Sequence, residues 1–244
     1  PLSKEGVIFL NMTREKKPNF IIIGAMKAAT TSLYTYLKQH PDVFMTTIKE
    51  PMFFNNFQKK NNFKVAGRKT KKITTFEEYY PLFDAVKNEK AIGEASPAYI
   101  SNENCPSLIK QHLPDTKIIA VLRQPVARAY SNFLHARMAD REPIADFETA
   151  FNKEAERKAE NWSPLYHYKD KGYYAEQLER YFTLFPKENI KVLLFEDLVE
   201  NPIKTTQEVF KFLNIDKSFI PDTSKKVNVS GTPKGLFGLF IMKL

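Results

Sequence analysis

Lysine, threonine and serine gather in Lys27-Ala28-Ala29-Thr30-Thr31-Ser32, directly after the apolar run Phe20-Ile21-Ile22-Ile23 and Gly24. A β-branched apolar run suits a strand covered on both faces. The hydroxyls, followed by Leu33, Tyr34 and Leu37, suit the capped start of an amphipathic helix. Strand, tight small-residue loop and helix start form a cradle for an anion. The first helical N–H groups lack backbone partners, the helix dipole adds partial positive charge, and Lys27 adds a full one. The same residues also suit a plain strand-turn-helix with a surface lysine. The stretch is not the Gly-Lys-Ser/Thr loop of nucleoside triphosphatases, because Lys27 stands three residues before Thr30.

A second anion site is suggested by Leu122-Arg123-Gln124-Pro125, followed by Arg128 and Ser131. Arg123 leaves a strand as a bidentate donor, and Ser131 offers a hydroxyl two turns into the next helix, so both can converge on one phosphate. Arg128 lies between them along the helix, where pairing with an acid is an alternative to binding the anion. Taken alone, a strand, an arginine and a helix with a serine also read as structural. A third piece is Lys49-Glu50-Pro51-Met52-Phe53-Phe54. A carboxylate backed by aromatic residues can act as a base, burial raising its pKa and Lys49 or Lys27 lowering it. The alternative is a surface Lys-Glu pair. His135, one turn after Ser131, and His167 are further candidates for assisting a base. His40, before Pro41, reads as a helix-end residue. No histidine has metal-ligand spacing, so no metal site is expected.

In this order the segments resemble the sulfotransferases that use 3′-phosphoadenosine-5′-phosphosulfate (PAPS). The 5′-phosphosulfate loop of that family runs Lys-x-Gly-Thr-Thr-Ser-Leu and is matched from Lys27 to Leu33, with Ala29 where the pattern usually has Gly. The 3′-phosphate pattern, Leu-Arg-x-Pro-x-x-Arg-Ala-x-Ser, is filled at every fixed position from Leu122 to Ser131. The resemblance covers about 19–215. It implies that Lys27, Ala28, Ala29, Thr30, Thr31 and Ser32 hold the 5′-phosphate, and that Arg123 and Ser131 hold the 3′-phosphate. It implies Glu50 as the base and Lys27 as the charge that stabilises the leaving phosphate. The late basic loop with Lys226, Ser230 and Lys234 is loosely similar to one that relatives fold over the nucleotide; a solvated tail is the other reading. Glu94-Ala95-Ser96-Pro97-Ala98-Tyr99 is similar to the family's Glu-Lys-Ser/Thr-Pro-x-Tyr segment. Ala95 stands where heparan sulfate enzymes place a lysine, which argues against assigning their acceptor here.

The elements that must position these residues alternate between apolar strands and amphipathic helices. Strands are expected at Phe20-Ile23, Val43-Met45, Ala91-Gly93, Lys117-Leu122 and Ile190-Phe195. Helices are expected from Thr30 to Gln39, after Thr75 with Glu78 completing a capping box, from Ser107 to His112, from Pro125 to about Met138, from Phe147 to Lys158, from Tyr173 to Phe185, and after Pro202. This is an α/β, P-loop-like three-layer fold: a central parallel sheet of about five strands flanked by helices. The carboxyl ends of such strands share one rim, where the Lys27, Glu50, Glu94, Arg123 and Glu196 neighbourhoods are expected. The whole chain, 1–244, reads as one sulfotransferase domain with a loosely docked N-terminal arm, 1–18.

Composition narrows the partners. An apolar content of 43% marks a globular chain of 244 residues. A net charge of +9 favours anionic ligands. The basic stretch Lys59 to Lys72 is either a solvated loop or a contact surface for an anionic acceptor. The single cysteine, Cys105, forbids an internal disulfide framework. No apolar run is long enough to span a bilayer, and Val7 to Leu10 is too short for a signal-peptide core. The expectation is therefore a cytoplasmic, bacterial, nucleotide-binding transferase. It would use PAPS as co-substrate and no metal, release 3′-phosphoadenosine-5′-phosphate (PAP), and act on a hydroxyl- or amine-bearing acceptor, with no nucleic-acid partner. A P-loop-like nucleotide kinase and a non-catalytic polyanion-binding module are the competing readings.

Overall fold

The computed structural model describes residues 16–57, 63–65 and 72–224. Five strands, β1 (Phe20–Gly24), β2 (Val43–Met45), β3 (Ala91–Ala95), β4 (Lys117–Leu122) and β5 (Ile190–Leu194), form one parallel sheet in the order β2-β3-β1-β4-β5. The strands fall where the apolar runs place them. β1 is central, and Phe20, Ile21, Ile22 and Ile23 are fully buried, as a strand covered on both faces must be.

The helices, in chain order, are α1 (Thr30–Leu37), α2 (Phe53–Asn56), α3 (Phe76–Tyr79), α4 (Cys105–His112), α5 (Pro125–Met138), α6 (Phe147–Asn152), α7 (Glu154–Ala159), α8 (Tyr174–Leu184), α9 (Phe195–Glu200) and α10 (Pro202–Phe212). Parallel strands joined through helices cross over right-handedly. The link from β1 to β2 runs one way along the sheet and the links to β3, β4 and β5 run the other, so α1 covers one face and α4 and α8 the opposite one. α10 packs on α1, and α4 packs on α8, which completes three layers. Among the described residues, no helix is long and apolar enough to cross a membrane.

Several expected elements differ. The helix expected from Phe147 to Lys158 is two, broken at Lys153, which serves as C-cap of α6 and N-cap of α7. The Thr75 side chain makes no capping bond; the Glu78 carboxylate instead accepts the Thr74 N–H at 2.9 Å, one residue earlier than a capping box requires. The helix after β1 is capped by Ala29, not by a hydroxyl side chain. Pro125 opens α5 as expected, and the Gln124 side chain accepts the Ala127 N–H at 2.6 Å.

Gly93 of β3 lies over the Phe20 ring, and a Cβ built there would sit 2.2 Å from it. Phe20 is fully buried and cannot retreat. Gly93→Ala is expected to destabilise the chain by about 1–3 kcal/mol, or roughly 2–4 °C of Tm per kcal/mol for a chain of this size. Thermal unfolding followed by circular dichroism measures it, and an unchanged Tm would refute the packing argument.

Candidate functional site

Left-handed backbone marks two loops at the carboxyl rim of the sheet. Outside glycine, the described residues with positive φ are Lys27 (68°), Ala29 (59°), Glu50 (61°), Met52 (55°), Asp140, Asn161 and Asn214. Asp and Asn tolerate that region, whereas Lys, Ala, Glu and Met enter it at a cost of order 1 kcal/mol or more. The four costly cases lie in the loop after β1 and the loop after β2. The φ of Ala29 also explains why glycine suits this position.

The loop after β1 delivers its chain into α1 with an open N-terminus. Ala29 is the N-cap, no side chain caps the first turn, and no acidic residue lies in it. Its first N–H groups and its dipole therefore have no acid within the turn to offset them. Lys27 and Arg123 flank it, the Arg123 Nη1 donating to the Lys27 carbonyl at 3.2 Å. The Arg123 guanidinium stacks over the Phe195 ring at 4.4 Å, and its carbonyl accepts the Tyr174 hydroxyl at 3.0 Å. Burial lowers the Lys27 pKa; Arg123 pushes the same way, Glu50 opposes, and Lys49 again lowers it. Lys27, Arg123, Glu50 and Lys49 thus share one electrostatic neighbourhood.

Glu50 sits in the opposing loop as half of an ion pair with Lys49. The surface-pair reading is therefore realised, but at the rim beside Lys27. Glu94 is a correction: it is the penultimate residue of β3 and fully buried, not at the rim. Its carboxylate accepts hydroxyls from Tyr79 (3.0 Å), Tyr99 (2.8 Å) and Ser96 (2.7 Å). Burial raises its pKa to about 7 against the opposing pull of these bonds.

Ser131 is buried on α5, eight residues after Arg123. Among the described residues, Arg128 makes no ion pair with an acid. It is fully buried and donates to the Tyr168 carbonyl, while its Nε and Nη1 have no hydrogen-bond partner among the described residues. The nearby acids are engaged: Glu142 holds Arg157 in a bidentate pair at 2.7 and 2.8 Å, and Glu154 accepts the Lys169 and Asp170 N–H groups. His40 is structural, its ring bonded to the Asp216 carbonyl and the Asp42 N–H. His167 lines a cavity of about 450 Å³ with Lys171, Gln177 and Arg180. Burial, aided by Lys171, drops its pKa to about 4. Lys64 pairs with Glu160 at 3.0 Å. The rest of the basic loop up to Lys71, except Phe63 and Val65, and Lys226, Ser230 and Lys234 lie outside the described residues.

Sequence reasoning missed Phe195, the platform under Arg123, and Lys171. The Lys171 side chain is buried with Nζ 3.5 Å from the Met26 sulfur, and burial beside Arg128 brings its pKa to about 7 despite Glu154. A lysine in a polar run carries no sign of burial, and an aromatic residue after a strand no sign of a cation above it.

Comparison with known proteins gives the same picture at family level. The family pattern described as "Sulfotransferase domain" matches residues 17–229. The crystal structure of a sulfotransferase from Alicyclobacillus acidocaldarius is 36% identical, covers 87% of both chains and superposes with a TM-score of 0.81. Human bifunctional heparan sulfate N-deacetylase/N-sulfotransferase 3 is 28% identical over 212 residues, which is 83% of this chain and 23% of that protein. The chain spans under a quarter of the length of such curated relatives. A mouse sulfotransferase solved in complex with PAP is 16% identical, covering 82% of this chain and 59% of its own, with a TM-score of 0.54, and shares the fold.

Glu94 has a consequence for stability. Its pKa is about 7 when folded against an ordinary 4.5. Between those values the folded chain keeps a proton that the unfolded chain has lost. The contribution favouring the fold is therefore full below the lower value, declines as pH rises through the interval and is gone above the upper one, a loss of up to a few kcal/mol. Glu94→Gln, neutral at any pH, should flatten that decline. Urea unfolding at about pH 5 and about pH 8 checks it, and parallel wild-type and variant pH dependences would refute it.

Proposed function

The chain belongs to the sulfotransferase domain family, and we propose that it transfers the sulfuryl group of PAPS to a hydroxyl or amine by in-line displacement. The observation that carries this reading is the open N-terminus of α1 flanked by Lys27 and Arg123, with Glu50 in the same electrostatic neighbourhood. The residues suit a donor that is anionic at both ends. The N–H groups and hydroxyls from Ala28 to Ser32 would take the 5′-phosphate, and Arg123 with Ser131 the 3′-phosphate. Arg123 comes preoriented by Phe195 and by its bond to the Lys27 carbonyl.

Chemistry then rests on positioning and charge. Lys27, with Arg123 and Lys49 as cationic neighbours, gains a partner in the leaving phosphate and stabilises charge developing there. Glu50 takes the acceptor proton; its ion pair with Lys49 holds the carboxylate in place. The acceptor is a glycan or small molecule.

Two experiments test this reading. Calorimetry should show roughly micromolar binding of PAP, with adenosine monophosphate weaker by about one to two orders of magnitude, and Arg123→Ala should close that gap. Equal affinity of the wild type for both nucleotides would overturn the two-phosphate assignment. With labelled PAPS and a panel of glycan, phenol, steroid and fatty-alcohol acceptors, Glu50→Gln should lower kcat by roughly 10²–10⁴ with donor affinity near wild type. Lys27→Ala should lose both, and His135→Ala should stay close to wild type. Full transfer by Glu50→Gln with a stalled His135→Ala would reassign the base.

A further inference from the structure

The turn that carries Glu50 belongs to no strand or long helix. Glu50 and Met52 are both left-handed, and Pro51 between them has no N–H to anchor. The turn is held through three bonds to one short segment. The Glu50 N–H donates to the Ala95 carbonyl at 3.0 Å, the Met52 N–H to Ser96 Oγ at 3.0 Å, and the Phe54 N–H to the Tyr99 hydroxyl at 3.2 Å. Both accepting hydroxyls in turn donate hydrogen bonds to a single group, the Glu94 carboxylate, and Tyr79 adds a third donor. Tyr79, Glu94, Ser96 and Tyr99 are all fully buried. Among the described residues, no lysine, arginine or histidine is ion-paired with Glu94.

The direction of these bonds explains the choice of residues. A hydroxyl can accept a backbone N–H and donate elsewhere at once, and an acceptor-only carboxylate lets several do so together. The Ser96 and Tyr99 hydroxyls, in donating to Glu94, are thereby oriented to receive N–H groups of the Glu50 turn. The strain of two left-handed residues persists only where the surroundings over-determine it, and this relay supplies that determination.

We propose that Glu94 and Ser96 are positioning residues for the transfer: through the Met52 N–H they set the place of the Glu50 carboxylate at the rim. The proposal rests on Glu50 as the base in the function proposed above. Neither residue touches donor or acceptor in this assignment; both act through the turn. A carboxyl group at position 94 is not required, only a group that can serve the hydroxyls. The amide of Glu94→Gln can accept both tyrosines on its oxygen and donate to Ser96, whereas Glu94→Leu leaves all three hydroxyls unserved.

The test separates geometry from catalysis. Ser96→Ala removes one hydroxyl and little volume. Misplacing the base should lower kcat about ten- to hundredfold, with PAP affinity within about twofold. Glu94→Gln should keep kcat within about threefold and Glu94→Leu should not. Amide hydrogen exchange should show the Met52 N–H protected in the wild type and Glu94→Gln, and exposed in Ser96→Ala. Wild-type kcat in Ser96→Ala, or equal losses of kcat and PAP affinity, would overturn the proposal. A wild-type chain that moves no sulfuryl group to any acceptor would refute the function reading alone, and Met52 exchange would still decide whether Ser96 holds the turn.

Discussion

Burial of β1 on both faces and both edges is the constraint on which the rest of this structure depends. A strand flanked by β3 and β4 and covered by two helical layers offers no solvent to its side chains, and hence the run of isoleucines. It also leaves no freedom in register. Phe20 lies against Gly93 of β3, and the Ala25 N–H beyond the strand is fixed to the Val121 carbonyl at 2.7 Å. The loop that follows β1 therefore starts from a rigid origin, and Lys27 inherits its place from the core.

Parallel topology turns that local rigidity into a site. All five strands end on one edge, so the chain leaving β1, β2 and β4 meets there although Lys27, Glu50 and Arg123 lie far apart in sequence. The arrangement carries strain and charge. Four non-glycine residues of the loops after β1 and β2 take left-handed backbone, and burial together with neighbouring cations lowers the pKa of Lys27, Arg128 and Lys171. This concentration of positive charge suits negatively charged rather than neutral ligands.

The polar groups behind the rim divide into two sets. On one side, Glu142 with Arg157, and Glu154 with the backbone of Lys169 and Asp170, organise the segment from α5 to α8 and leave Arg128, among the described residues, with unserved donors. On the other, Glu94 collects three hydroxyls and, among the described residues, has no ion-paired cation. The second set reaches the turn of Glu50 through Ser96 and Tyr99.

The strand positions, the parallel α/β class and the loops after β1 and β4 were legible in the amino-acid sequence, because each is a local pattern: apolar runs, small-residue turns, and cationic or hydroxyl residues at fixed spacing. Short-range chemistry also identified Pro125 as a helix start. Patterns of that kind do not state depth. Glu94 reads as a rim residue and is buried, Arg128 reads as a possible ion-pair partner and is left to a carbonyl, and Lys171 ends a polar stretch yet is enclosed. Nor do they reveal a capping carboxylate displaced by one residue, or a helix divided at Lys153. Periodicity records which residues prefer water on average, whereas burial depends on what distant segments place over them. Only the folded chain brings Phe195 under Arg123, and Ser96 and Tyr99 under the turn of Glu50, because those contacts join segments whose meeting is decided by the order of strands in the sheet.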